Sequence, residues 1–268
     1  MTSALRISVV IPCRNDAEFL RECLLALQGQ ERPADRIIVV DNGSTDGSAE
    51  VAREAGVELI DEPLVGIWPA AARGYDAALP TSDIIARLDA DSRPHPDWLA
   101  RIESAFTSDD ALGVLTGGAE FYGAGRVISY LGEHWYIGGG RVWVNLWLGI
   151  PLVFGSNFAM RAAIWDRVRT VVHRENARIH DDLDLTIHLR ESDGVHWDRS
   201  LTMPVSARPL TSVRGLARRV GRVVPTFVAS WPEGAPWRRR KDRPLPGESP
   251  SHQSDQSSAR DLGGTSFD

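Results

Sequence analysis

Two groups of carboxylates in this 268-residue chain have the types and spacing for chemistry. Asp89 and Asp91 flank Ala90 just after the apolar run Ile84-Ile85-Ala86, and Arg93-Pro94 and Pro96 forbid further strand, so the pair stands at a strand's carboxyl end. Open α/β sheets bind ligands at that edge. Two acids so close repel each other unless a cation lies between them, and carboxylate oxygens suit hard cations such as Mg²⁺ or Mn²⁺. A solvated turn is the plainer account of the same residues. The second group, Asp181, Asp182 and Asp184, opens a helix, where its charges favour the N-terminal dipole whatever else they do.

The elements that must position these residues read as alternating strands and helices. Residues 5–11 predict a buried strand (Ile7, Val9, Val10, Ile11) stopped by Pro12, and a helix opening at Asn15-Asp16 places Phe19, Leu20, Cys23, Leu24 and Leu27 at helical spacing. A strand at 37–40 ends in the polar turn Asp41-Asn42-Gly43-Ser44-Thr45-Asp46-Gly47; a helix at 48–55, a strand at 57–60 and an alanine-rich helix at 70–79 lead back to the strand before Asp89. Such alternation predicts an α/β fold with a mostly parallel, doubly wound sheet flanked by helices. It brings residues 12–15, Asp41-Asn42 and Asp89-Asp91 to one edge. Further on, helices are expected at 97–106, 162–168 and 180–190, and strands at 112–116 and 195–197. Between 120 and 152 glycines and aromatics alternate without a period, and no element is assigned.

The formal charge of −6 conceals an asymmetry. Ten basic residues (Arg208, Arg214, Arg218, Arg219, Arg222, Arg238, Arg239, Arg240, Lys241, Arg243) face two acids, Glu233 and Asp242, between 206 and 243, making that segment about +8 and the remainder about −14. From Val213 the period is helical: Val213, Leu216, Ala217, Val220, Val223 and Val224 share one face and the arginines another, with Pro225 expected to end the helix. This is the form of an interfacial membrane helix, or of a surface helix with a solvated face. Residues 142–160 carry no charge but contain Gly149 and Pro151, which favours a buried or interfacial run over a span. Two cysteines, Cys13 and Cys23, are too few for a disulfide framework, and no leader precedes the first strand, so a cytoplasmic protein, associated with the inner face of the membrane if the helix binds there, is expected. Residues after about 237 read as disordered.

Ser8-Val9-Val10-Ile11-Pro12, Val40-Asp41 with its polar turn, Ala86-Arg87-Leu88-Asp89-Ala90-Asp91 and Asp181-Asp182-Leu183-Asp184-Leu185 occur in an order and at intervals that resemble the family 2 inverting glycosyltransferases of the GT-A fold. The resemblance covers roughly residues 5–200. It implies a GT-A domain over 1–205; the charge pattern and composition read above add a basic amphipathic helical extension (206–237) and a disordered tail (238–268). It implies a nucleotide-sugar donor, UDP- or GDP-linked, held by Pro12, Arg14, Asn15, Asp41 and Asn42, with Asp89 at the ribose and Asp91 on a Mn²⁺ or Mg²⁺ ion. Arg73, Arg87 and Arg208 are candidates to neutralise diphosphate. Asp182 takes the position of the base, beside Asp181 where the family commonly has Glu, and Asn157 that of a residue facing the acceptor or donor sugar. Asp181 and Asp184 are expected to raise the pKa of Asp182 by like-charge repulsion, and His180 to be a neighbouring polar residue. Without flanking membrane helices or a Gln-x-x-Arg-Trp motif, single-sugar transfer to a hydroxyl acceptor, lipid-linked or at a membrane surface, is expected. Nucleic acid is not an expected partner. A nucleotidyltransferase or a catalytically silent nucleotide-sugar-binding module of the same fold is the alternative. The former wants a glycine-rich pyrophosphate loop where this chain has Pro12-Cys13-Arg14-Asn15.

Overall fold

The computed structural model describes residues 4–125, 130, 132, 138–211 and 213–231. The expected tail lies outside them, as do parts of the unassigned 120–152 stretch. Seven strands form one sheet in the order β3-β2-β1-β4-β6-β5-β7: β1 (Ile7–Cys13), β2 (Arg36–Asp41), β3 (Glu58–Asp61), β4 (Ile84–Arg87), β5 (Val114–Tyr122), β6 (Phe158–Arg161) and β7 (Val195–Ser206). β6 alone runs antiparallel to its neighbours, β4 and β5. Strand order reverses beside β1, which lies between β2 and β4, and the crevice there is the place a ligand binds in such sheets.

Helices cover both faces. One core cluster packs α1 (Ala17–Gln28) and α4 (Trp98–Ser108) on the sheet through Leu20, Cys23, Trp98, Ile102 and Phe106. The other cluster lies under α3 (Ile67–Ala78), α5 (Gly138–Leu148), α6 (Ala162–Val168) and α7 (Asp181–His188), with Trp68, Tyr75, Trp165 and Phe158 meeting edge to face. A short α2 (Ser48–Glu54) packs beside α1. The short α8 (Arg208–Thr211) and the long α9 (Val213–Ala229) follow the sheet.

Three expectations need correcting. β1 continues through Pro12 to Cys13, because its ladder to β4 ends at Val10 opposite Arg87, and Pro12 has no donor to supply on that side. β5 and β7 are far longer than the short strands expected. They pair in parallel from Val114–Val195 to Tyr122–Ser206, and their register shifts at Gly117/Gly118. A Cβ on Gly117 would meet the Leu201 carbonyl oxygen at 1.7 Å, so only glycine allows that approach. Finally, α9 runs through Pro225. Tertiary anchors just beyond hold it: the Thr226 hydroxyl accepts the His180 N–H (2.8 Å) and donates to the Arg222 carbonyl (2.7 Å), and Ser230 Oγ donates to Asp184 Oδ1 (3.1 Å). The uncharged 142–160 run is split between α5, a loop and β6. No helix among the described residues is long and apolar enough to cross a membrane.

Candidate active site

The carboxyl edge of the sheet collects the first set of residues. Cys13 is paired in register with Asp41, so the β1 loop and the β2 turn are neighbours. Asn15, at φ 53, accepts the Thr45 N–H on Oδ1 (2.7 Å), while its own N–H donates to Ser44 Oγ (3.0 Å). Asp41 accepts the Ser44 N–H at 3.3 Å from each oxygen and stays half-exposed, and Arg14 is exposed. Asn42 differs: it is buried, its amide donates to the Glu62 and Leu64 carbonyls (2.9 and 2.8 Å), and its oxygen accepts the Gly66 N–H (2.7 Å). It holds the loop that borders the pocket and does not present its amide to a nucleotide. Arg73 lies on α3 in a cleft with Asp61, Glu62, Pro69 and Arg174.

Asp89 and Asp91 follow β4 and carry separate countercharges. Arg87, last residue of β4 and 2% exposed, donates from Nη2 to Asp89 Oδ1 (3.1 Å); Ser156 Oγ donates to the other oxygen (2.5 Å). Asp91 faces Arg208, whose Nη2 is 3.3 Å from Oδ2, while Nη1 reaches Asp16 at 2.8 Å and the guanidinium lies over the Phe19 ring. Burial and the Asp89 carboxylate push Asp91 up to about 6, against the pull of Arg208. The repulsion expected between the two acids is therefore only partly offset by two arginines approaching from different elements.

The second acidic group meets the first through Arg87. Its Nη1 donates to Asp181 Oδ2 at 2.5 Å, so the diphosphate role expected for Arg87 is corrected: it faces inward, between Asp89 and Asp181. Asp89 lies two residues past the end of β4, within reach of the Arg87 guanidinium. Asp182, beside them at the start of α7, accepts the Gly155 N–H (3.2 Å) and the N–H of Leu183 (2.9 Å), and His180 Nδ1 contacts its Oδ1. Burial alone would push Asp182 up. The His180 ring, then Arg87 and the Gly155 N–H, outweigh burial and hold it below the ordinary carboxylate range. The upward shift expected from like charges is thus corrected: the His180 ring and Arg87 outweigh any upward push on Asp182, and Asp181 is itself paired with Arg87. Asp184 is also occupied, by His173, the Trp68 indole N–H and Ser230.

A backbone close approach makes this junction possible. A Cβ on Gly155 would stand 3.1 Å from Arg87 Nη1 and 3.3 Å from Asp182 Oδ2. Asn157, two residues on, is wholly buried: its oxygen accepts the Trp98 indole N–H (2.9 Å) and its amide donates to the Gly118 and Leu201 carbonyls (3.0 and 2.7 Å). It ties the entry of β6 to α4, β5 and β7, and its amide does not face a sugar. Sequence reasoning undervalued His180 and Ser156. The only signals were a polar N-cap residue before the acid pair and a hydroxyl beside an invading glycine.

The Glycosyl transferase family 2 model matches residues 8–169. The chain belongs to that family. It is 36% identical over 130 residues to the glycosyltransferase AglE of Haloferax volcanii, covering 45% of this chain and 42% of that protein. It is 26% identical over 201 residues to the probable glycosyltransferase YdaM of Bacillus subtilis, covering 69% and 46%. The chain spans less than half the length of these two relatives. Among solved structures, glucosyl-3-phosphoglycerate synthase of Mycobacterium tuberculosis, crystallised with Mn²⁺, UDP-glucose and phosphoglyceric acid, superimposes with a TM-score of 0.64 at 17% identity, over 87% of this chain and 81% of that one. The mannosyltransferase PcManGT of Pyrobaculum calidifontis, crystallised with GDP-mannose and Mn²⁺, gives 0.58 at 19%, over 84% and 68%. These likenesses show that this family 2 chain has the fold of those enzymes.

Proposed function

We propose that this chain moves a single sugar, with inversion, from a nucleoside-diphosphate donor to a hydroxyl acceptor that is lipid-linked or lies at a membrane surface. The observation that carries the reading is the junction itself: in a family 2 chain, Asp89 at the donor edge and the Asp181-Asp182 pair are held together by one buried guanidinium. The mycobacterial and archaeal structures, with their UDP- or GDP-linked sugars, support a donor of that class.

On the donor side, Asp41 and the loop of Pro12, Arg14 and Asn15 hold base and ribose, and Asp89 contacts the ribose with acceptor capacity left beyond its bonds to Arg87 and Ser156. Arg73 borders the donor side, and Arg208 would reach a diphosphate only on leaving Asp91 and Asp16. A divalent cation fits Asp91: its carboxylate is a hard oxygen ligand, partly desolvated and raised by the Asp89 charge, a potential that a cation relieves. When bound, Mn²⁺ or Mg²⁺ would stabilise the negative charge that develops on the departing nucleoside diphosphate.

Inversion is one in-line displacement, and the attacking hydroxyl must lose its proton as it closes on the anomeric carbon. Asp182 takes that proton. Gly155 and His180 orient its carboxylate, and Arg87 keeps Asp181 from competing as a neighbouring charge. The GT-A unit over 1–205 carries this chemistry, and the basic segment 206–237 serves the acceptor side. A thermal-shift screen of nucleotide sugars with and without Mn²⁺, followed by NMR of the anomeric proton of the product, tests the proposal. Cation-dependent stabilisation by a nucleotide sugar and an inverted product are expected; no stabilisation by any donor, or retention of configuration, contradicts it.

A further inference from the structure

Helices α5 and α9 meet at an aromatic cluster. Trp143 and Trp147 stack at 5.2 Å, and Phe227 meets them at 5.6 and 5.7 Å. Around that cluster the outer side chains are apolar and uncovered: Val142, Trp143 and Leu146 on α5, and Val224, Val228 and Trp231 along α9 and just past its end, with Leu146 77% and Val228 69% exposed. They recur at helical spacing, so each helix turns an apolar stripe to the same side. Clustered exposed apolar residues of this kind mark a surface that binds something.

We infer that this α5–α9 face docks on an anionic lipid bilayer. Three observations favour that occupant. Tryptophans lie within the patch and at its α9 end, and that residue is suited to the headgroup level, where an apolar body meets a polar rim. The charge of the chain is segregated, with about +8 in residues 206–243, the segment that contains α9, against about −14 elsewhere. In sequence, the basic charge of this acidic chain is thus concentrated in and just after α9, and attraction to an anionic surface acts on that segment. The same helix is hydrogen-bonded to the acid-pair region, through Thr226 to the His180 N–H and through Ser230 to Asp184. Docking there fixes the acceptor half of the site relative to the bilayer, so the acceptor class is a hydroxyl carried by a membrane lipid. The inference rests on the proposed transfer reaction for its acceptor, while docking itself is read without any transfer.

The test is flotation of the full chain with phosphatidylcholine vesicles, with and without phosphatidylglycerol, for the wild type, Leu146→Glu, Val228→Glu and the double variant. Both positions are exposed, so folding is undisturbed; Mn²⁺-dependent nucleotide-sugar binding, measured alongside, reports the donor site separately. The wild type is expected to float with the anionic vesicles, less so in high salt, and the double variant to partition about tenfold less or lower. Equal partition of variant and wild type, or no vesicle binding by the wild type, overturns the inference. So does a wild-type dimer that the same substitutions split into monomers, because the face would then be covered by a second copy. Hydrogen exchange of the wild type supplies a reading free of substitutions: vesicles should protect α5 and α9, and protection confined to other surfaces overturns the assignment.

Discussion

Arg87 Nη1 lies 2.5 Å from Asp181 Oδ2 inside the protein, where the guanidinium is 2% exposed and the carboxylate 7%. Through its other terminal nitrogen the same group reaches Asp89, so Asp89 and the acid pair on α7 share one countercharge. Removing it strands two carboxylates. Arg87→Leu is expected to destabilise the protein by about 3–5 kcal/mol in urea unfolding, the range for breaking a buried pair. A loss under about 1 kcal/mol would show that the carboxylates find water or another cation.

His180 is expected to set the protonation of Asp182. The folded pKa of Asp182 is depressed, so its contribution to stability is present above the ordinary carboxylate value, about 3.9, and is lost as pH falls through the lower folded value. His180→Gln removes the largest downward influence and leaves burial, which pushes up. The acid limb of kcat/KM and the acid limb of the unfolding curve should both move to higher pH. A limb that does not move would mean that His180 only fills space.

Asn157→Ala separates a strut from a substrate contact. The substitution leaves the buried Trp98 N–H and the Gly118 and Leu201 carbonyls without their partner, at about 1–3 kcal/mol for each unsatisfied group. Stability should fall while the acceptor KM of the folded fraction holds. A rise in acceptor KM without loss of stability would restore the sugar-facing role.

Arg208 competes with any cation for Asp91 in the structure seen here. Arg208→Ala should tighten Mn²⁺ binding to the free protein by about threefold, the scale of a partly exposed ion pair, as read by the loss of the free Mn²⁺ signal in electron paramagnetic resonance. Weaker binding would mean that Arg208 organises the site instead of occupying it.

The sheet and the places of the acids were legible because they are local patterns: apolar runs broken by turns give the strands, Asp89 and Asp91 follow one such run, and Asp182 opens a helix. What lay beyond the sequence depends on distant partners. Arg87 looks like any arginine until β4 is set beside α7, and Asn42 and Asn157 look like ligands until their amides are found bonded to backbone from other elements. The length of β5 and β7 comes from their mutual pairing, and α9 survives Pro225 because Thr226 and Ser230 tie it to α7 and its N-cap. Periodicity carries no trace of those contacts.

The central claim, that Asp182 takes the proton of the attacking hydroxyl, is tested most directly by measuring sugar transfer and donor binding together in Asp182→Asn, an isosteric change that keeps the Gly155 N–H bond possible. Donor affinity should stay within about twofold of wild type while the transfer rate falls by about 10² to 10⁴, the span of general-base catalysis. Transfer at the wild-type rate, with donor binding intact, would contradict the account.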